Sequence, residues 1–295
     1  MAKKTNVFTD DWITFHDVAV DLCHMLNFVP WQLEMGRNAT KRSLDVVEQN
    51  GHPGNFGAAT GLSIIDVFRE GELTQKMPAG KRVTSGGDIE SMISEVEGRF
   101  NNSILLSLHE GLETYAKALF QAMLYQLRNK RFISNKSDFH SAIANAHIHI
   151  GTPEYYRLYV RWSCRRDCLS AWEAFRKELD WGIVKQDGWN RLEWLEVVDT
   201  LDRCRNFIAH DEGRVADKRW SAMSAPQREF IKALMRESVL AREDRILATK
   251  YQAHQLLEAT MAVSYAVYVL LSNRCGMTVD IKLGSMKYSA KHYSC

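Results

Sequence analysis

The chain has almost no excess of charge of either sign: 38 Lys and Arg stand against 36 Asp and Glu in 295 residues. A basic coat over the whole molecule is therefore excluded, and any nucleic-acid contact needs a local concentration of arginine. Cysteine is sparse too. Cys23, Cys164, Cys168, Cys204, Cys275 and Cys295 are scattered, without the density of a disulfide-built secreted scaffold. No apolar segment follows the opening Met-Ala-Lys-Lys, which runs directly into Asp10 and Asp11; a secretory leader is not expected, and a cytoplasmic setting is. The most apolar window, Met261 to Leu271, is too short to span a bilayer, so no membrane partner is expected. Gly80-Lys81 invites a phosphate-loop reading, which fails because Gln75 stands where that loop needs its first glycine. Ser-His-Asp, His-Glu-x-x-His and dinucleotide-binding patterns are also missing.

What remains is a helical sequence. With 45% hydrophobic residues, the chain can bury a sizeable core as one large domain or two small ones. Leu105, Leu108, Leu112, Tyr115, Leu119 and Met123 recur at intervals of three and four, predicting a long helix from Asp88 to about Leu127. A second is predicted from Pro153 to about Leu179, with Thr152 as N-cap and Pro153 in the first position, where its missing N–H is harmless. A third runs from Asn190 to about Ile208, and a last from Lys250 to Asn273. Helical spacing is also present over Trp12–Phe28 and Arg42–Gln49, with loops expected at 51–57 and 78–87. Past Gly276, the alternation Val279, Ile281, Leu283 suggests a strand, paired in a hairpin with Met286–Tyr288. The expected fold is all-α: an antiparallel bundle over 88–273, a helical extension over 1–87 and a short strand-like tail over 274–295.

One residue on the third helix is out of place. Trp194, Val198 and Leu201 form one stripe, and Arg205 falls within about 20° of its centre at roughly 100° per residue. A guanidinium is costly to bury and cannot escape by deprotonating. It can snorkel to the bundle end, meet a structural carboxylate or serve a site. Asn206 follows directly and His210 lies five residues on. On a continued helix Arg205 and His210 would point about 140° apart. Asp211-Glu212-Gly213 reads as a helix stop, so either the chain bends to bring His210 back or the two side chains meet across a dimer.

Arg205-Asn206-Phe207-Ile208-Ala209-His210 resembles the R-x4–6-H motif of HEPN domains, with the polar residue that family favours directly after the arginine. Gly213 soon after the histidine and the closing helix Lys250–Asn273 resemble it too. Leu112-Glu113-Thr114-Tyr115 matches the acidic residue of an earlier helix, with Glu110 as a competitor. The resemblance covers about residues 92–273. It implies a metal-independent endoribonuclease without cofactors, of the kind found in toxin–antitoxin, antiphage-defence and RNA-processing settings. It also implies a homodimer, RNA as partner and an antitoxin or regulatory protein as a further one. Arg205, Asn206, His210 and Glu113 would be its working residues. Some members of the family have lost catalysis and only bind RNA or a protein partner, and the motif allows that alternative. The residue types suit the chemistry. RNA carries its own nucleophile, histidine can move a proton near neutral pH, and a guanidinium can stabilise the charge of a phosphorane-like transition state.

Two further clusters each allow two readings. Arg157, Arg161 and Arg165 fall at i,i+4 spacing with Tyr156, Tyr159 and Trp162 between them: either a stripe that tracks RNA phosphates or a solvated basic face. His147 and His149 with Cys164 and Cys168 can be forced into a zinc site, but the spacings suit ordinary small hydrophobes better, and no metal is expected.

Overall fold

The computed structural model describes residues 6–49, 55–65, 73–127, 137–145, 147–164, 168–179, 194–215, 217–238 and 243–279. Helices dominate them, with two small antiparallel sheets of two strands each.

The axis of the bundle is α2 (Gly86–Leu127), which packs against α1 (Thr9–Gln49), α4 (Pro153–Ser163), α5 (Leu169–Glu178), α6 (Trp194–His210) and α9 (Lys250–Arg274). All six apolar residues used to predict α2, from Leu105 to Met123, are buried. Between α2 and α4 lies α3 (Ser137–Asn145), and Phe139 on it stacks edge-on to Tyr159.

The N-terminal stretch differs from expectation in two ways. Phe8, Trp12, Phe15, Ala19, Leu22 and Leu26 of α1 join the same core as α2 and α9, so this segment is part of the bundle. Past Leu26 the inner face of α1 no longer reaches full burial, and Pro30 sits inside the helix at the cost of one backbone hydrogen bond. The second difference is a hairpin of β1 (Asn55–Ile65) and β2 (Leu73–Ser85) where loops were expected at 51–57 and 78–87. Proline and glycine gave the loop reading. Pro78 is tolerated because the register slips between Ala59 and Gly61, the very place where Pro78 pairs.

The helix predicted from Pro153 to Leu179 is broken at Cys164, the C-cap of α4. On an unbroken helix Tyr159 and Phe175 would point about 160° apart. Both rings meet Phe120 of α2, at 6.3 and 6.1 Å between centroids, and the break makes that possible. Thr152 caps α4 as expected, its hydroxyl accepting from the Tyr155 N–H at 3.3 Å.

After α6 come α7 (Asp217–Ser221) and α8 (Ala225–Leu234), then β3 (Met235–Ser238) and β4 (Glu243–Ile246) as a short hairpin. Capping boxes, Ser224 with Gln227 and Thr249 with Gln252, start α8 and α9. Asn102 of α2 ties down the link between β4 and α9, donating to the Ile246 carbonyl at 2.6 Å and accepting from the Ala248 N–H at 3.2 Å.

Helix α9 is long and apolar enough, by length and composition, to cross a membrane, because its apolar run extends well beyond Met261–Leu271. More than half of that window, 56%, is buried inside the bundle. Apart from Val279, the strand expected at the C-terminus lies outside the described residues.

Candidate functional site

The site is built on α6. Its buried face carries Val197, Thr200, Leu201, Cys204 and Phe207. Arg205 therefore lies at the margin of that face and is half-buried, not at its centre. The reason is that Cys204 and Thr200, small side chains that fit against neighbouring helices, carry the buried stripe about 100° round from Arg205. On the opposite side, Asp202, Asn206 and His210 follow one another at i,i+4 spacing, so all three share a face.

The helix runs straight through His210 and stops just beyond it. Glu212 and Gly213 have positive φ, 52° and 87°. The Gly213 N–H returns to the Phe207 carbonyl at 2.7 Å, and the Gly213 carbonyl accepts from the Ile246 N–H at 2.9 Å. A Cβ at Gly213 would lie 3.2 Å from the Ile246 carbonyl oxygen, so both the backbone angle and the close approach select glycine.

Neither a bend before His210 nor a second subunit is needed to bring arginine and histidine together. The length of the Arg205 side chain does it: Nη1 donates to Asn206 Oδ1 at 2.8 Å and lies 3.2 Å from His210 Nε2. A guanidinium can only donate, so His210 Nε2 is the acceptor in this contact.

Two residues missed in the sequence complete the network. Asn206 Nδ2 donates to Asp202 Oδ2 at 3.0 Å, and the other oxygen of Asp202 is 3.1 Å from His109 Nε2 on α2. Burial pushes the Asp202 carboxyl up, but the His109 hydrogen bond and the charges of His109, Arg205 and Arg203 outweigh it and hold the carboxyl below its ordinary value. An ionised Asp202 makes His109 Nε2 the donor. His109 Nδ1 is buried with no hydrogen-bond partner among the described residues. The i,i+4,i+8 spacing of Asp202, Asn206 and His210 could have revealed the aspartate. Nothing in the sequence marks His109, which stands 93 positions away.

Four other arginines around this end of α6 are neutralised. Arg203 pairs with Asp199 at 2.9 Å, Arg214 with Glu243 at 2.9 Å, and Arg219 with Asp211 at 2.8 Å. Arg245 binds both Glu243 and Glu212, at 2.8 and 3.0 Å. Among the described residues Arg205 makes no such ion pair, and its hydrogen bonds go to neutral groups. It can accept an anion without losing a carboxylate first.

Glu113 is not joined to Arg205 or His210. It binds Lys117 one turn on, at 2.8 Å, and lines a cavity of about 60 Å³ with His109, Trp172, Val198 and Asp202. The acidic group that does reach the motif is Asp202. Glu110 is exposed. On α4, Arg157 and Arg161 are exposed, while Arg165 lies outside the described residues. The rings between them do not form a stacking platform: Tyr156 and Tyr159 are buried and Trp162 packs on Phe139 at 5.6 Å. Their apolar area is better hidden in the core than held out to bases. Phe120, which meets Tyr159 of α4, and His109, which meets Asp202 of α6, stand about 16 Å apart along α2.

His147 and His149 are exposed, whereas Cys164 and Cys168 are buried. Cys168 gives its hydrogen to the Glu113 carbonyl at 3.4 Å. Its hydrogen bond with Cys164 and its burial push the Cys168 thiol up, so it stays protonated. Among the described residues no group of three or more His, Cys, Asp or Glu is placed to hold a metal ion. No family model, curated protein or solved structure matches the chain.

Proposed function

We propose that the chain is a HEPN-type bundle acting in the cytoplasm, as a homodimer, as a metal-independent endoribonuclease of single-stranded or looped RNA. The observation that carries this reading is the Arg205 guanidinium, which makes no ion pair among the described residues and lies against His210 Nε2, while Arg203, Arg214, Arg219 and Arg245 each have a carboxylate. A phosphate of the substrate competes for Arg205 and draws it off Nε2. His210 Nε2 then takes the proton of the ribose 2′-OH as that oxygen attacks phosphorus. The bond to the 5′-oxygen breaks, and the leaving oxygen takes a proton from solvent water, whose hydroxide is neutralised by the proton His210 had taken. Arg205 holds the non-bridging oxygens as their charge grows, with Asn206 steadied by Asp202.

The products are a 2′,3′-cyclic phosphate and a 5′-hydroxyl. Since the nucleophile belongs to the RNA, cleavage persists in excess EDTA, whereas DNA and RNA methylated at the scissile 2′-oxygen resist. Incubating wild type and His210→Ala with a mixed RNA pool and analysing end groups by mass spectrometry tests this. A 5′-phosphate product, or activity that EDTA abolishes, refutes it. One observation favours a second reading, a silent module that binds RNA or a regulatory protein: Arg205 occupies the only His210 nitrogen free to accept a proton. Binding without cleavage by wild type would select it. A toxin or antiphage role, with an antitoxin as partner, belongs to the first reading.

A further inference from the structure

Three of the cysteines behave as small hydrophobes: Cys164, Cys168 and Cys204 are buried in the core. Cys23 is different. It is half-buried, on the margin of the inner face of α1 beside Leu22. Helices α1 and α9 run antiparallel along this seam, with Trp12 on Tyr265 and Tyr268, and Cys23 on His254 further along. Cys23 Sγ lies 3.5 Å from His254 Nε2. One turn on along α9, Glu258 Oε1 lies 3.3 Å from the other ring nitrogen, Nδ1. A carboxylate there draws the ring proton to Nδ1, which leaves Nε2 of the neutral ring to accept the thiol hydrogen. Asn27 Nδ2 donates to the Cys23 carbonyl at 3.1 Å and stands 3.9 Å from the sulfur. Thiol, imidazole and carboxylate in series are the arrangement of an activated nucleophile.

We propose that Cys23 is a reactive thiol that forms a mixed disulfide with a small-molecule disulfide of the glutathione type, with His254 as its base and Glu258 positioning that base. The Cys23 thiol gives its proton to His254 Nε2 as its sulfur attacks one sulfur of the small molecule. A bond forms between Cys23 Sγ and that sulfur, the original S–S bond breaks, and the departing thiolate takes the proton from His254. A thiol and a disulfide go in, a mixed disulfide and a thiol come out, and no further oxidant is needed. The openness of the seam selects thiol exchange over acyl transfer. Exchange keeps its charge on the sulfurs and depends on access to the attacking thiol. Acyl transfer builds an oxyanion that needs preorganised donors in a water-excluded cleft, whereas Asn27 and Glu258 beside this thiol are exposed.

The proposal is independent of the nuclease reading, and its test reads no RNA cleavage. The full chain, first reduced, is exposed to glutathione disulfide at neutral pH, and peptide mass mapping follows each cysteine over time. Cys23 takes up glutathione about tenfold faster than Cys275, which is also half-buried. His254→Ala slows the uptake at Cys23 about tenfold with unchanged helicity. Imidazole added to the buffer restores part of that rate, which it would not do for a histidine that only packs. Nitrogen NMR shifts of the His254 ring report the proton on Nδ1 in wild type. In Glu258→Ala they move towards the Nε2–H form, and uptake at Cys23 slows several-fold. A Cys23 no faster than Cys275, a His254→Ala chain as fast as wild type or beyond rescue by imidazole, or ring shifts indifferent to Glu258→Ala overturns the proposal.

Discussion

Arg205 and Arg245 stand on either side of the turn that ends α6, and they are used in opposite ways. Arg245 has a buried side chain, held by Glu243 and by both the carboxylate and the backbone carbonyl of Glu212. Its hydrogen bonds fasten β4 to that turn. Arg205 is half-buried, hydrogen-bonded only to an amide and an imidazole. The same guanidinium is a rivet where carboxylates surround it and, on the proposed function, the group that meets phosphate where they do not.

The sharpest way to test the difference is to remove each arginine in turn. Arg205→Ala is expected to lower the rate of RNA cleavage by on the order of a hundredfold or more, with thermal unfolding close to wild type. Arg245→Ala is expected to lower the melting temperature by a few degrees by leaving Glu212 and Glu243 without their partner. Parallel cleavage assays and melting curves decide it; a misfolded Arg205→Ala would make both arginines structural.

Between them, Gly213 gives a backbone test. Gly213→Ala is expected to cost about 1–2 kcal/mol from strain at positive φ, measured by denaturant unfolding, because neither the turn nor Ile246 can yield. Unchanged stability would mean that the turn relaxes freely and does not position His210.

Asp202 tests how the receptor is held. Its carboxyl lies below the ordinary value in the folded state. The stability it contributes is therefore fully present above the unfolded value of 3.8 and is lost as pH falls through the lower folded one. The stability gap between wild type and Asp202→Asn should be constant from neutrality down to about pH 4 and close below it. Asp202→Asn is also expected to slow cleavage about tenfold, since Asn206 loses a charged acceptor. A gap that does not close in acid would remove the hydrogen-bonded, ionised Asp202.

The smallest effect is expected from Arg157→Ala and Arg161→Ala. They leave folding unchanged and weaken RNA binding by a few-fold at most, because the rings beside them are turned into the core. A large loss of RNA affinity in a filter-binding assay would return α4 to the site.

Much of this was legible in local pattern. The spacing of Leu105 to Met123 fixed the inner face of α2, Thr152-Pro153 fixed the start of α4, and Asp211-Glu212-Gly213 fixed the end of α6. The break at Cys164 was not, because Tyr159 and Phe175 answer to Phe120, a residue on another helix. Nor was the hairpin of β1 and β2, whose glycines and Pro78 read as loops until the register irregularity that accommodates them is known.

By itself, then, the sequence determined the inner face of α2, the start of α4 and the course of α9, and that Arg205, Asn206 and His210 lie close along one helix, since periodicity and capping act within a few residues. Only the tertiary structure decided that Asp202 and His109, not Glu113, reach the motif, and that Arg205 makes no ion pair among the described residues while Arg203, Arg214, Arg219 and Arg245 each make one. The physical reason is that burial and ion pairing are properties of surfaces meeting in space. His109 and Asp202 become neighbours only when α2 and α6 pack, and no spacing along the chain encodes that meeting.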